Sequence, residues 1–484
     1  MKKKALAIAF IVFLSTFSLL NSGCKKASDR TNYSIDCTLD GYTLNGVQTV
    51  DFFNSTENTI CELKFNIYAN AFRQGAKYSP IGAQYLSRAY PNGLSYGEFI
   101  VNGVTLHEES ADFKIEGVDK NVLTIPLKEE IFPEERVSVT IDYTINLANV
   151  IARTGYNADT INLANFYPIL CGLDENGFYE CAYYSAGDPY FSDCSDYTVT
   201  LSCEEKYTVA SSGKLVSANS QNGKTQRKYE LNNARSFALV LSEKFEAITQ
   251  EIDGLQLNYY FYDDENPNES FEYIKKSIKY FNQTFGEYPY STYSVVQTQF
   301  IQGGMEFPAL VMISDDLEKN AYGEVIVHET AHQWWQTCVG NNEIEYGFVD
   351  EGLTEYSVVL FYENHPEYKM TRTQMITSSE NTYKVFCSVY DKIFGGVNTT
   401  MIRSLDEFTN EYEYVNISYI KPCIMYDYLR KTIGDEMFFK GLKNYFSKYC
   451  FKNVTPYEVV GVYEKLGAGT NGFFESFYQG KVII

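Results

Sequence analysis

Near residue 250 the apolar residues change their period, and that change restricts the chain to few architectures. From about Asn32 to Ile248 apolar and polar residues alternate in short runs. Examples are Thr49-Val-Asp-Phe-Phe, Val137-Ser-Val-Thr-Ile-Asp-Tyr and Tyr197-Thr-Val-Thr-Leu-Ser, with Gly, Asn and Asp between runs. A period of two puts one face of each strand in a core. Many short strands separated by turns predict an antiparallel sandwich or saddle. After about Glu251 the spacing of Phe271, Ile274, Ile278 and Phe281 predicts an amphipathic helix over 269–284. A strand pair is expected at 294–299 and 310–314, then helices at 322–338, 350–364, 419–432 and 435–448. The fold class is therefore α+β and multidomain, with a β domain over 32–249 and a thermolysin-like α+β domain over 250–484.

With 484 residues the chain exceeds one ordinary core. Its 45% apolar and 21% charged residues are a globular composition. A net charge of −22 excludes a protein that works by displacing counterions from nucleic acid. The first residues read as an export signal: Lys2-Lys3-Lys4, an uncharged stretch from Ala5 to Leu20, then Asn21-Ser22-Gly23-Cys24. That run is short for a membrane span. Cys24 after Ser22-Gly23 resembles a bacterial lipobox, which predicts a signal over 1–23, a lipidated Cys24, a linker over 24–31 and an exported, membrane-anchored protein. Asn21 departs from the lipobox pattern, and plain secretion is the other reading. The remaining cysteines contain no C-x-x-C and are expected as small buried thiols.

Four histidines occur in the chain, and two of them stand in His328-Glu329-Thr330-Ala331-His332. On a helix, positions i and i+4 share a face, so both imidazoles reach one Zn2+ while Glu329 lies beside them as the base. A catalytic zinc takes three protein ligands and keeps one open position. After His332 come eighteen residues and then Glu351, the expected third ligand. Glu355, one turn further, is placed to orient His328 through a hydrogen bond. Upstream stands Gly303-Gly304-Met305-Glu306-Phe307, which alone reads as a flexible turn with an acid.

This spacing, with Gln333-Trp334-Trp335 behind the second histidine, resembles the gluzincin zinc aminopeptidases of the aminopeptidase N type, a family that includes the leukotriene hydrolase. Residues 303–307 look like that family's G-A-M-E-N, with Gly for Ala and Phe for Asn. The resemblance implies that Gly303, Gly304 and Met305 form an edge strand that binds the substrate backbone and that Glu306 binds the free α-amine. It also implies that Tyr419, in Tyr419-Ile-Lys-Pro422, donates to the oxyanion, with Tyr412 and Tyr414 as competitors. Leu63–Phe72, Asn165–Pro168 and Gly187–Tyr190 look like landmarks of the family's β domain. The chain stops at Lys481-Val-Ile-Ile484, near the expected end of the catalytic domain. That leads us to expect no C-terminal helical domain, a more open cleft and no basic anchor for a peptide's C-terminus.

The expected activity is hydrolysis of the first peptide bond of peptides with a free N-terminus, with one Zn2+ per chain and no nucleic-acid partner. Two other readings stay open at this point: a surface lipoprotein that captures peptides at a weak zinc site, and a zinc endopeptidase. The preferred first residue, the oligomeric state and a β-domain partner for the amine are not legible in the sequence.

Overall fold

The structure, a computed structural model, describes residues 29–174 and 176–482. Cys24 and the signal lie outside the described residues. The first region is built from three main sheets and a two-stranded ribbon, Leu173–Asp174 with Gly177–Phe178. The largest has eight strands, ordered Lys214–Gln221, Lys224–Ala234, Ser195–Glu204, Asn32–Asp40, Thr43–Phe53, Arg136–Asn146, Glu98–Leu106 and Glu109–Ser110. Alternation works as expected: every second residue of Asn32–Asp40 and of Arg136–Asn146 is buried. The expectation of an antiparallel domain needs one correction. Asn32–Asp40 runs parallel to Ser195–Glu204, with Tyr33 opposite Tyr197. A parallel neighbour requires a long crossover, and the chain between residues 41 and 194 supplies it. Two four-stranded sheets complete this region.

The second region opens with a five-stranded sheet, ordered Glu246–Ile252, Leu255–Phe261, Thr292–Thr298, Leu310–Ser314 and Gly304–Phe307. Its first strand begins at Glu246 and pairs with Leu255–Phe261. The last strand in that order is an edge, antiparallel to its one neighbour. Helix Pro267–Thr284 packs on the sheet through Phe271, Ile274, Ile278 and Phe281, the stripe read from the sequence, and starts on a proline that lacks the donor a first turn cannot use.

Two helices then carry the histidine motif and the following glutamate. The motif helix is Lys319–Ala331, and His332 is its capping residue. The expected helix to Cys338 is therefore too long. The chain leaves the helix because tertiary partners outcompete its ladder. Trp334 and Trp335 are fully buried, and their Nε1 atoms donate to Gly286 O (2.8 Å) and to Ser357 Oγ (2.9 Å). Gln336 adopts φ +106°, and the chain turns into the short strand Val339–Asn341. The second helix, Phe348–Asn364, is buried along nearly its whole length. The described residues also hold a 23-residue helix, Arg372–Phe394, which the sequence reading left out. One continuous core runs from Tyr33 in the first region to Tyr478 in the last helix.

Candidate active site

The motif helix, the second helix and the edge strand meet in one cleft of about 330 Å3 between the two regions. His328 Nε2 and His332 Nε2 are 3.1 Å apart, and Glu351 Oε2 lies 3.5 Å from the first and 3.2 Å from the second. Their outer nitrogens are held. His332 Nδ1 lies 3.0 Å from the Trp335 carbonyl and 3.1 Å from Thr354 Oγ1, and His328 Nδ1 lies 3.2 Å from Glu355 Oε1. A proton on each Nδ1 is fixed by those acceptors, which leaves both Nε2 lone pairs facing Glu351. Two lone pairs and a carboxylate oxygen without a hydrogen bond converge on one point, which is repulsive unless a cation lies between them. Zinc holding such ligands at about 2.0–2.1 Å in a tetrahedron needs them about 3.3–3.4 Å apart. The three observed separations bracket that value, so the residues fit the ion. A second group, Glu306, His332 and Asp350, also lies close together. Its Asp350 faces His332 through the Nδ1 already held by Trp335, at 3.9 Å.

Local structure brings these groups together. Gly352, next to Glu351, faces Pro422: a Cβ there would fall 2.4 Å from the proline ring. That close approach draws the helix Lys421–Ile433 against the second helix. Tyr419 sits just before it, in a π-helical turn over Asn416–Ile420. A π turn re-aims a side chain within a helix. Here Tyr419 Oη donates to Glu351 Oε1, and its ring stacks on His328 at 6.1 Å. Of the competing tyrosines, Tyr412 is 47% exposed on the outside. Tyr414 is buried, lines the cleft and meets Tyr419 edge-on at 5.8 Å.

Glu329 and Glu306 face the same space. Burial pushes the Glu329 carboxyl up to about 8, against the pull of His328. Burial also pushes Glu306 up to about 7. Glu329 Oε2 and Glu306 Oε1 are buried with no hydrogen-bond partner. The two glycines of the edge segment differ. A Cβ on Gly304 would fall 2.3 Å from Glu329 Oε1, whereas one on Gly303 would meet nothing closer than 3.8 Å. Only Gly304 is required for the strand to pass the glutamate. Met305 is buried beneath the strand with Phe307, and Gln333 ties strand to motif by accepting from Ala309 N (2.9 Å) and donating to Phe307 O (3.2 Å).

Asp188 is the residue the sequence reading missed. It comes from the first region, in the Gly187-Asp-Pro-Tyr190 stretch. It is buried, lines the cleft, pairs with Arg153 at 2.5 Å and raises Glu306 by its charge. Its sequence signal was only an acid within Gly187-Asp-Pro-Tyr190, and the fold brings it near Glu306. The remaining histidines lie elsewhere: His107 has φ +49°, and His365 caps the second helix.

Residues 269–477 match the peptidase family M1 domain. Among curated proteins, leukotriene A-4 hydrolase of Xenopus laevis is 27% identical over 201 residues, 39% of this chain and 31% of its own length. Aminopeptidase N of Streptomyces lividans is 24% identical over 208 residues, 40% of this chain and 24% of its own. The chain thus spans less than a third of the length of either. Among solved structures, an M1 zinc metallopeptidase from Deinococcus radiodurans superposes with a TM-score of 0.66 at 15% identity, covering 94% of both chains. A mutant of that peptidase, bound to a Tyr-Ser-Ala substrate, gives 0.64 at 15% identity over the same share of both chains. Residues 269–477 are therefore similar to a peptidase family M1 domain, and the two-region fold is that of the solved M1 zinc metallopeptidase.

Proposed function

We propose that the protein is a zinc-dependent aminopeptidase that removes the first residue of peptides. The observation that carries this reading is the convergence of His328, His332 and Glu351 beside two buried, unpartnered carboxylates, Glu329 and Glu306. His328, His332 and Glu351 would hold a Zn2+ ion, which would supply Lewis acidity to a water and to the scissile carbonyl. Glu329 takes the proton of that water and later delivers it to the leaving amine, a role for which a raised carboxyl is suited. Tyr419 Oη gives up Glu351 and donates to the oxygen on which negative charge develops. Glu355 keeps His328 oriented. Glu306, joined by Asp188, pairs with the substrate ammonium. A charged amine satisfies these acids and an internal amide does not, which selects the chain end. Gly303, Gly304 and Met305 offer their backbone to the peptide. Relatives named as aminopeptidases support the same reading.

The test is one peptide offered unblocked and N-acetylated, each with and without a zinc chelator. Chelator-sensitive loss of one residue from the unblocked peptide alone is expected. Equal cleavage of both peptides would discard the aminopeptidase. We also propose export with a lipid anchor on Cys24, on the basic, apolar and small-residue order of residues 2–24. A Cys24→Ala protein that still sediments with membranes would sink that assignment.

A further inference from the structure

A segment of the first region lies beside the cleft and is fastened to the second region at two points. It runs from Ser79 through the turn Ala83–Tyr85 and the short helix Leu86–Ala89. On one rim Gln84 Nε2 donates to Glu411 Oε2 (2.6 Å) and Tyr85 Oη to Glu411 Oε1 (3.3 Å). Glu411 lines the cleft and opens the short helix that leads to Tyr419. At its far end Arg88 pairs with Asp316, an exposed residue that follows the strand beside the edge strand. Between these two fastenings, Ile81 and Ala89 pack with Phe72 and with Ile301, the neighbour of Gln302. The strap is thus an element of the first region tied by three side chains to the second.

Its position relative to the reaction follows from the lining of the cleft. The first residue of a substrate is pinned by its amine at Glu306 and Asp188 and by its carbonyl at the corner of His328, His332, Glu351 and Tyr419. Two sides remain. One is lined by Glu324, Val325, Glu355 and Val358, from the motif and second helices. The other is lined by Arg153, Ser185, Gly187 and Gln302 and adjoins Asp188. A side chain one bond from the amine falls on the side that adjoins the amine subsite, and the rest of the peptide leaves on the other. Arg153, Ser185, Gly187 and Gln302 also line a second, adjoining cavity of only about 10 Å3, whose other walls include Pro80 and Ile81 of the strap, Tyr183 and Tyr184. That is room for about one water, hence for a methyl or hydroxymethyl group.

We propose that the strap sets the size limit for the first residue, so that the enzyme favours peptides beginning with a small residue such as alanine, and that Gln84, Tyr85 and Arg88 are the positioning residues that hold it. This rests on the aminopeptidase reading above and names its substrate class. The strap residues touch no reacting atom. They act through the wall they fasten, so releasing them changes which first residue is accepted.

The test uses tripeptides X-Ala-Ala with X as Ala, Leu, Phe or Trp. All four share the amine and the following backbone, so differences among them read side-chain space alone. Hydrolysis is measured as kcat/KM for the zinc-loaded protein. Binding is measured separately by calorimetry in a Glu329→Gln background. In the native chain both quantities fall at least tenfold from Ala to Trp. In a Gln84→Ala/Tyr85→Phe/Arg88→Ala variant the fall shrinks to threefold or less, with the value for Ala changed little. Thermal melting of each variant checks the fold, and Arg88→Ala alone serves if the triple variant melts early. A native profile that is flat or rises toward Trp overturns the proposal, as does an unchanged profile in a folded variant. Absence of hydrolysis of all four peptides, with graded binding intact, would strike the aminopeptidase reading and leave the size limit standing.

Discussion

Gly303 and Gly304 look interchangeable as residues, yet their surroundings separate them. Gly304 lies where the edge strand passes the Glu329 carboxylate, and an added methyl would overlap it. Gly304→Ala displaces the base or the strand. A misplacement of about 1 Å costs on the order of 10²-fold in rate, so kcat/KM should drop about that much while the melting temperature stays near native. Gly303→Ala should stay within about threefold, because open space awaits its Cβ. Equal losses in both variants would mean the pair serves only as a flexible joint. The same contrast shows what was legible here. His328, Glu329 and His332 could be read because one helical turn relates them. Glu351 could be read because zinc needs a third ligand. Asp188 could not, because it meets Glu306 only through the docking of two regions. The separate duties of the two glycines depend on a side chain 25 residues beyond Gly304.

Elements show a similar division. The strand Leu310–Ser314 and the helix Pro267–Thr284 followed their apolar period closely. The motif helix ended early because Trp334 and Trp335 found buried partners that no local rule encodes. Helix Arg372–Phe394 escaped notice because its buried residues are few and widely spaced. The π turn at Asn416–Ile420 was equally hidden, and its far side carries a titrating anchor. Lys421 is fully buried and donates to the carbonyls of Thr399 and of Phe477 (2.8 Å), joining the Tyr419 segment to the last helix. Burial lowers its ammonium from 10.5 to about 7. Between those values the unfolded chain binds more protons than the folded one, so stability rises with pH across the window. The slope is at most about 1.4 kcal/mol per pH unit. Denaturant melts from pH 7 to pH 9 should show that rise in the native chain and lose it in Lys421→Met. That variant is less stable at the upper end because two carbonyls lose their donor. Parallel pH profiles for the two proteins would assign the lysine an ordinary charged state.

At the scale of the whole molecule, the active site exists only while the two regions stay docked, since Asp188 and the strap come from one and the metal-binding residues from the other. Arg235 fastens them through several hydrogen bonds at once. It leaves the first region after the strand Lys224–Ala234. Its Nε donates to Gln336 O (2.8 Å), Nη2 to Lys452 O (2.9 Å), and Nη1 to Asn453 Oδ1 and Ser192 O (2.9 Å). It lies so close over Gly340 that a Cβ there would fall 2.1 Å from its Cζ. The guanidinium thereby holds the turn that follows His332 and the strand beside it. Replacing it with alanine orphans several buried carbonyls, each at about 1–3 kcal/mol, so Arg235→Ala should lose about 3 kcal/mol or more. The loss should also be uneven. Both tryptophans of the chain, Trp334 and Trp335, lie in the second region directly ahead of that turn, so their fluorescence reports that region, while far-ultraviolet dichroism follows the strands of both. In the native chain the continuous core predicts coincident transitions. In Arg235→Ala the fluorescence transition should move to lower denaturant than the dichroism. Coincident transitions with an unmoved midpoint would show that the shared core alone holds the regions together and that the arginine only fills its slot.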